Sequence, residues 1–221
     1  PDGCTTVQLP GDPHIVAHNE DGLPAFHGHA FLARITPETG PSFMSFCYPG
    51  SLPGHTFGVN EVGLIQTVNN LRLRNVVPNV PRMALGRVVL ASDSLQDALD
   101  LLSEHNESGG FHMTLAQAGD PRVMSMEFVG GTCSATPVIS PNLHANHALH
   151  MGRVADDQLV TESSHDRQAR GIGLLAEDVT DPLLILRDKD GAGLPLHRTQ
   201  PDDPDNENTL ATCVFHISSS G

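Results

Sequence analysis

The first seventy residues are short β-patterned runs set off in pairs by turn signals, and this punctuation limits the fold more than any other feature of the chain. Cys4-Thr-Thr-Val-Gln-Leu9 is rich in β-branched residues and stops at Pro10-Gly11-Asp12-Pro13, a sequence that cannot continue a strand. His14-Ile-Val-Ala-His18 follows as the return partner. Ala30–Ile35 and Ser42–Cys47 flank Pro37-Glu-Thr-Gly40, and Thr56–Val59 and Leu64–Val68 flank Asn60-Glu-Val-Gly63. Loops this short join antiparallel neighbours, so the spacing predicts six strands in an antiparallel meander.

The period then changes. Pro81 suits a helix start, and Met83, Leu85, Val88, Val89 and Leu90 make a helical stripe. Ser94 caps a second helix with Leu95, Ala98, Leu99 and Leu102 on one face. Strands resume at His112–Leu115, Val123–Phe128 and Cys133–Thr136, with a short one at Leu143–His147. A helix is predicted over Asp166–Ala176, capped by Ser163 or Ser164, and another begins at Asp181-Pro182. Pro201–Asn208 reads as a solvated acidic loop and Thr209–Ile217 as a final buried strand. The fold class is α+β, with two antiparallel sheets face to face and helices outside both. No linker divides residues 1–221, which read as a single domain. Ser218–Gly221 directly follows an apolar strand, so a further strand is expected beyond them.

Composition removes several functions. Lys and Arg total 12 against 26 Asp and Glu, a formal charge of −14, which repels phosphate backbones and argues against nucleic-acid partners. No run approaches the length of a membrane span, and no secretory leader opens the chain, so the expected location is cytoplasmic. Cys4, Cys47, Cys133 and Cys213 are too widely spaced for a disulfide framework and read as free thiols. The last three lie in apolar runs and are expected to be buried.

Cys4 differs because of its position. Cleavage of Gly3–Cys4 would give one residue both a thiol and an α-amine, whose pKa of about 7.7–8.0 suits a general base. Otherwise it is an ordinary strand cysteine. Asn19-Glu20-Asp21-Gly22 is either a hairpin turn or the source of a side chain aimed at Cys4 from the next strand. His144, His147 and His150 suggest a metal site, but they lack the spacing of H-E-x-x-H. The alternative within that run is Asn146, whose side-chain N–H can donate to an oxyanion. Asn60, Asn69 and Asn70 sit at hairpin ends. Arg198 is either an ion-pair partner of the acidic loop or a fixed charge for a substrate carboxylate or a catalytic aspartate.

Several of these segments resemble one family in order and spacing: Asp2-Gly-Cys-Thr-Thr6, Gln8-Leu-Pro10, Asn19-Glu-Asp21, Gly58-Val-Asn60, Gly63-Leu64, Asn69-Asn-Leu71, His144-Ala-Asn-His147, Arg198 and Thr209-Leu210. The family is the acyl-coenzyme A:6-aminopenicillanic acid (isopenicillin N) acyltransferases, which are N-terminal nucleophile (Ntn) hydrolases. The resemblance implies a four-layer αββα sandwich. It implies Cys4 as the nucleophile, exposed by autocleavage between Gly3 and Cys4, and Asp21 as the group that orients the amine. Asn146 becomes the oxyanion donor and Arg198 the charge near the cysteine, with Asn69 and Asn60 as oxyanion or substrate-wall candidates. The implied activity is amide hydrolysis or acyl transfer through a Cys4 thioester, on a small-molecule linear amide, without cofactor or metal. The alternative is a relative that binds acylated amines and never cuts Gly3–Cys4. Family members keep a cleaved pro-segment as a small subunit. Three residues precede Cys4 here, so that segment is expected outside this chain. The oligomeric state stays open, a homo-oligomer of processed heterodimers included.

Overall fold

The computed structural model describes residues 3–76, 79–105, 109–199 and 206–218. In chain order come β1 (Cys4–Leu9), β2 (His14–Gly22), β3 (Phe31–Ile35), β4 (Phe43–Cys47), β5 (Gly58–Asn60) and β6 (Leu64–Asn70). Then follow α1 (Arg82–Val89), α2 (Leu95–Glu104), β7 (Phe111–Gln117), β8 (Val123–Val129), β9 (Thr132–Pro137) and β10 (Asn142–His144). The remaining elements are α3 (Glu162–Ala176), α4 (Pro182–Leu186) and β11 (Asn208–Ile217).

The strands form two antiparallel sheets, one of four in the order β10-β1-β2-β11 and one of seven running from β3 to β9 in sequence. On the outer face of the larger sheet, Leu64, Val68, Phe111, Met113 and Met126 pack against Leu85 and Val89 of α1 and Leu95, Ala98, Leu99 and Leu102 of α2. The three buried leucines of α2 contribute on the order of 5–9 kcal/mol, so packing rather than helix propensity holds it. Outside the smaller sheet, Val7, Ala17 and Leu143 meet Leu174 of α3 and Ile185 and Leu186 of α4. Between the sheets the contact is partly apolar, through Val16, Ile65, Ala116 and Val123. It is also partly polar, with Gln8 donating to Thr114 at 2.7 Å and Thr6 to Asn69 at 2.7 Å. The result is the expected αββα stack.

Three expectations need correction. The first six strands are not one meander. Their hairpins are as predicted, but β1–β2 belongs to the smaller sheet, because the free edge of β2 is taken by β11 rather than β3. Helix α3 is capped by Thr161, whose hydroxyl accepts from Ser164 N, which puts Ser163 and Ser164 inside the helix. Cys47 is buried, but Cys133 and Cys213 are only half-buried, and β11 is largely half-buried because it forms a sheet edge. Most of the acidic stretch at 201–208 lies outside the described residues. Among the described residues, no helix is long and apolar enough to cross a membrane.

One close approach fixes α1. A Cβ at Gly86 would fall inside contact distance of the Gly54 carbonyl oxygen, which also accepts from Gln66 Nε2 at 2.8 Å. Gly54 itself has φ +100°, which favours glycine.

Candidate active site

Cys4 opens β1, and antiparallel register places Glu20 of β2 directly opposite. Opposed residues project to the same face, so the Glu20 carboxylate meets the thiol, with Sγ 3.5 Å from Oε2. Glu20 also contacts His18 Nε2 at 3.2 Å and accepts from the Tyr48 hydroxyl at 3.2 Å, and that hydroxyl lies 2.8 Å from His55 Nε2. Burial alone would raise Glu20, but the hydrogen bond and charge of His18, with the field of His55, hold it below the usual carboxylate range. Burial pushes the Cys4 thiol well up, and the fields of Glu20, Asp21 and Glu207 push it further.

The Gly3–Cys4 peptide is held at both ends. Asp21 N–H donates to the Gly3 carbonyl at 2.9 Å, and Cys4 N–H donates to Asn146 Oδ1 at 2.9 Å. A Cβ at Gly3 would overlap Arg198 Nη1 and Glu207 Oε2 and lie 3.0 Å from Asp21 Oδ2, so only glycine fits against this charged wall. Arg198 donates to Glu207 at 2.7 Å and sits 3.7 Å from Asp21 Oδ2. Asp21 Oδ1 accepts from Thr209 at 2.7 Å, while its buried Oδ2 accepts no hydrogen bond among the described residues. Burial raises Asp21, opposed by Arg167 and Arg198.

Sequence reading did not single out Arg167. Its buried guanidinium donates to the Cys4 carbonyl at 2.6 Å, Thr5 Oγ1 at 2.8 Å, Asn146 Oδ1 at 2.7 Å and Ser163 Oγ at 3.1 Å. The available signal was helical. Ser163, Ser164, Arg167, Gly171 and Leu174 form the buried stripe of α3, and a charge in such a stripe needs a purpose. Glu20 does not stand out in the family resemblance, which points to Asp21, and its signal is the β1–β2 hairpin register.

Because arginine only donates, Arg167 fixes the Asn146 amide with Oδ1 toward the Cys4 nitrogen. Asn146 Nδ2 donates to the Asn70 carbonyl at 2.9 Å. The other two asparagine candidates lie elsewhere. Asn69 accepts from Thr6 and donates to the His144 carbonyl at 3.1 Å, within the layer between the sheets. Asn60 binds the Leu90 and Ser92 carbonyls and Leu64 N, fastening its turn to the end of α1. Asn70, not Asn69, lines the cavity of about 10 Å³ beside Cys4, with Glu20, Tyr48, His55, Val68 and Arg82.

Two histidines of the 144–150 run, His144 and His150, approach the same Glu127 oxygen, His150 at 3.6 Å, while His147 bonds elsewhere. His144 Nε2 lies 2.8 Å from buried Glu127, and its ring stacks on His112 at 3.5 Å. His147 Nδ1 is 2.8 Å from Ser164 Oγ, and His150 Nδ1 is 2.9 Å from Ser134 Oγ. Among the described residues, the grouping with metal-ligand spacing is instead Cys4, His18 and Glu20, whose ligand atoms lie within 4.8 Å of one another.

The sequence model of the acyl-coenzyme A:6-aminopenicillanic acid acyl-transferase family matches residues 8–221. Beta-alanyl-dopamine/carcinine hydrolase of Drosophila melanogaster is 28% identical over 116 residues, 47% of this chain, and the match spans only 30% of that protein. Three solved structures are similar in fold. An N-acylethanolamine-hydrolyzing acid amidase ortholog of Caenorhabditis elegans has a TM-score of 0.63 at 12% identity, covering 96% of this chain and 100% of its own. A mutant conjugated bile acid hydrolase of Clostridium perfringens has 0.62 at 13%, covering 97% and 86%. Penicillin V acylase of Agrobacterium tumefaciens has 0.53 at 16%, covering 96% and 79%.

Proposed function

The chain belongs to the acyl-coenzyme A:6-aminopenicillanic acid acyl-transferase family, and we propose that it is a self-processing N-terminal cysteine amidohydrolase or acyltransferase that works through a thioester on Cys4. The observation that carries this reading is the Gly3–Cys4 peptide, held at its oxygen by Asp21 N–H and at its nitrogen by Asn146, beside a thiol that faces a buried carboxylate.

In processing, Cys4 Sγ attacks the Gly3 carbonyl carbon. Its proton passes to Glu20 and then to the Cys4 nitrogen as the C–N bond breaks, and water cleaves the resulting thioester. The Asp21 N–H holds the developing oxyanion. With the thiol raised and Glu20 lowered, a thiolate does not accumulate. The proton moves as the C–S bond forms, which is general-base catalysis.

The freed α-amine then serves as the base for substrate, steered by Asn146 Oδ1. The guanidinium of Arg167, on the Cys4 carbonyl, favours the neutral amine. Departure of Gly3 uncovers Asp21 Oδ2, an acceptor for that amine, while Arg198 and Glu207 hold the aspartate in place. Asn146 Nδ2 gives one of its two N–H groups to the Asn70 carbonyl, which leaves the second for a substrate oxyanion. Asn70, which lines the sulfur cavity, is the second candidate donor.

We read residues 1–221 as one Ntn domain of large-subunit type, cytoplasmic, with a cleaved pro-segment as its small subunit and a small-molecule amide as its substrate. The test is intact mass spectrometry of the full-length gene product with N-terminal sequencing. A chain starting at Cys4, and a Cys4→Ala variant that neither splits nor turns over amides, are expected. A Cys4→Ala chain that splits at an unchanged rate overturns the nucleophile. An uncut wild-type chain without turnover leaves the non-catalytic binder.

A further inference from the structure

Resting on the Cys4 reading, we propose that the amide this site accepts is an N-acylated α-amino acid with an apolar side chain, its carboxylate bound by Arg82 and its side chain lying in the neighbouring groove. Arg82 is the first residue of α1 and is half-buried. Its Nη1 donates to Asn70 Oδ1, a neutral acceptor. No carboxylate pairs with it among the described residues. Arg122, Arg170 and Arg198 by contrast each have an acidic partner. Pairing also removes Arg198 as the receiver of a substrate carboxylate, because Glu207 already occupies it.

Arg82 and Asn70 line two spaces at once: the small cavity at Cys4 and a groove of about 730 Å³. They therefore form the threshold between nucleophile and groove. The groove is walled by Leu71, Leu73, Val76, Val80, Met83 and Leu159, and its size is that of a site for a small organic ligand. A ligand crossing the threshold meets a cation first and apolar walls beyond it. One half of the substrate must therefore carry an anion close to the scissile bond and an apolar group just past it. An α-amino acid does so on a single carbon. Its carboxylate is three bonds from the scissile carbonyl carbon, and its side chain leaves the same Cα.

A carboxylate would replace Asn70 Oδ1 on the guanidinium, because a charge-assisted, bidentate pair is stronger than a bond to an amide oxygen. That exchange frees the Asn70 side chain beside Cys4. Glu20 also lines the sulfur cavity and would repel an anion, which leaves Arg82 as the lining group to receive it.

Binding can be tested without turnover, so its failure is separable from failure of the catalytic reading. Calorimetry on a Cys4→Ala chain that begins at residue 4, so that Gly3 does not occupy the scissile position, would compare N-acetyl-L-phenylalanine, N-acetyl-L-phenylalaninamide and N-acetylglycine. The acid is expected to bind at least 10-fold more tightly than its neutral amide, the scale of one hydrogen-bonded charge, and 10-fold more tightly than N-acetylglycine. Adding Arg82→Gln should bring the acid-to-amide ratio to within 3-fold of unity, and Arg82→Lys should keep part of it. Equal binding of acid and amide, a ratio unmoved by Arg82→Gln, equal binding of the phenylalanine and glycine acids, or no binding up to millimolar concentration would each overturn the proposal. Turnover of these amides by the processed wild-type enzyme reports on Cys4 separately.

Discussion

Two buried glutamates, one in each sheet, have similar surroundings and different capacities. Glu20 of β2 and Glu127 of β8 are 3% and 0% exposed, each beside a histidine, at 3.2 Å and 2.8 Å. Both are held below the usual carboxylate range against the effect of burial. They differ in their other donors. Glu127 accepts from backbone N–H groups of Leu149 at 2.6 Å and His150 at 3.0 Å, so it fastens the loop carrying Asn146 to the larger sheet. Glu20 instead faces the Tyr48 hydroxyl and the Cys4 thiol, at 3.2 Å and 3.5 Å. Amide protons stay where they are, whereas hydroxyl and thiol protons can move. A buried carboxylate saturated by amides is a fastener, and one facing mobile protons can take part in chemistry.

The strongest way to break this comparison is to remove the fastener. Glu127→Leu leaves His144 and two backbone donors buried without their acceptor, and is expected to cost about 3–5 kcal/mol in denaturant unfolding. Activity should fall with the fold. Glu20→Gln keeps the shape but cannot take a proton. It should unfold near the wild-type denaturant midpoint while splitting at Gly3–Cys4 slows by roughly 10²–10⁴, read by timed intact mass spectrometry. If the two variants exchange behaviours, the assignment of roles is reversed.

His147 sharpens the contrast, because it shares the Glu127-bound loop but leans on Ser164. Burial lowers it to about 4 from an ordinary value of 6.5. The folded state then binds fewer protons than the unfolded one between those values, so stability falls as pH drops from about 6.5 toward 4. Glu127, also depressed, loses its contribution only below the ordinary carboxylate value of 4.5. His147→Asn should flatten the first part of the stability–pH curve and leave the second. An unchanged curve would remove His147 from the account. The smallest effect is expected from half-buried Cys133→Ala, no more than about 1 kcal/mol with splitting unaffected.

Local chemistry made much of this fold legible. Ser94 capping, the Leu95–Leu102 stripe and the Asp181-Pro182 helix start all appear as read, because each is decided within a few residues. The split of the first six strands between two sheets was not legible, because β11, two hundred residues downstream, decides which edge β2 offers. The site divides in the same way. Cys4 and its glycine stand out in sequence. Glu20 lay within reach of register arithmetic, since the paired numbers from Cys4–Glu20 to Leu9–Ile15 share one sum. Asn70 against Asn69 turned on a single residue of strand alternation, which the motif could not fix. Arg167 comes to Cys4 from 163 residues away, and only packing brings it there.

The glycine contact beneath α1 has a mechanical consequence. Gly86 is the fulcrum on which the helix rests, and Arg82 sits about 6 Å along the lever, four residues at 1.5 Å each. A methyl group at the fulcrum would tilt the arm and carry the guanidinium away from its threshold without altering any residue that lines the cavities. Ligand preference in this chain can therefore be retuned from a buried position one helical turn away. Gly86→Ala is the variant in which a changed acid-to-amide binding ratio, at unchanged sequence in the pocket, would reveal it.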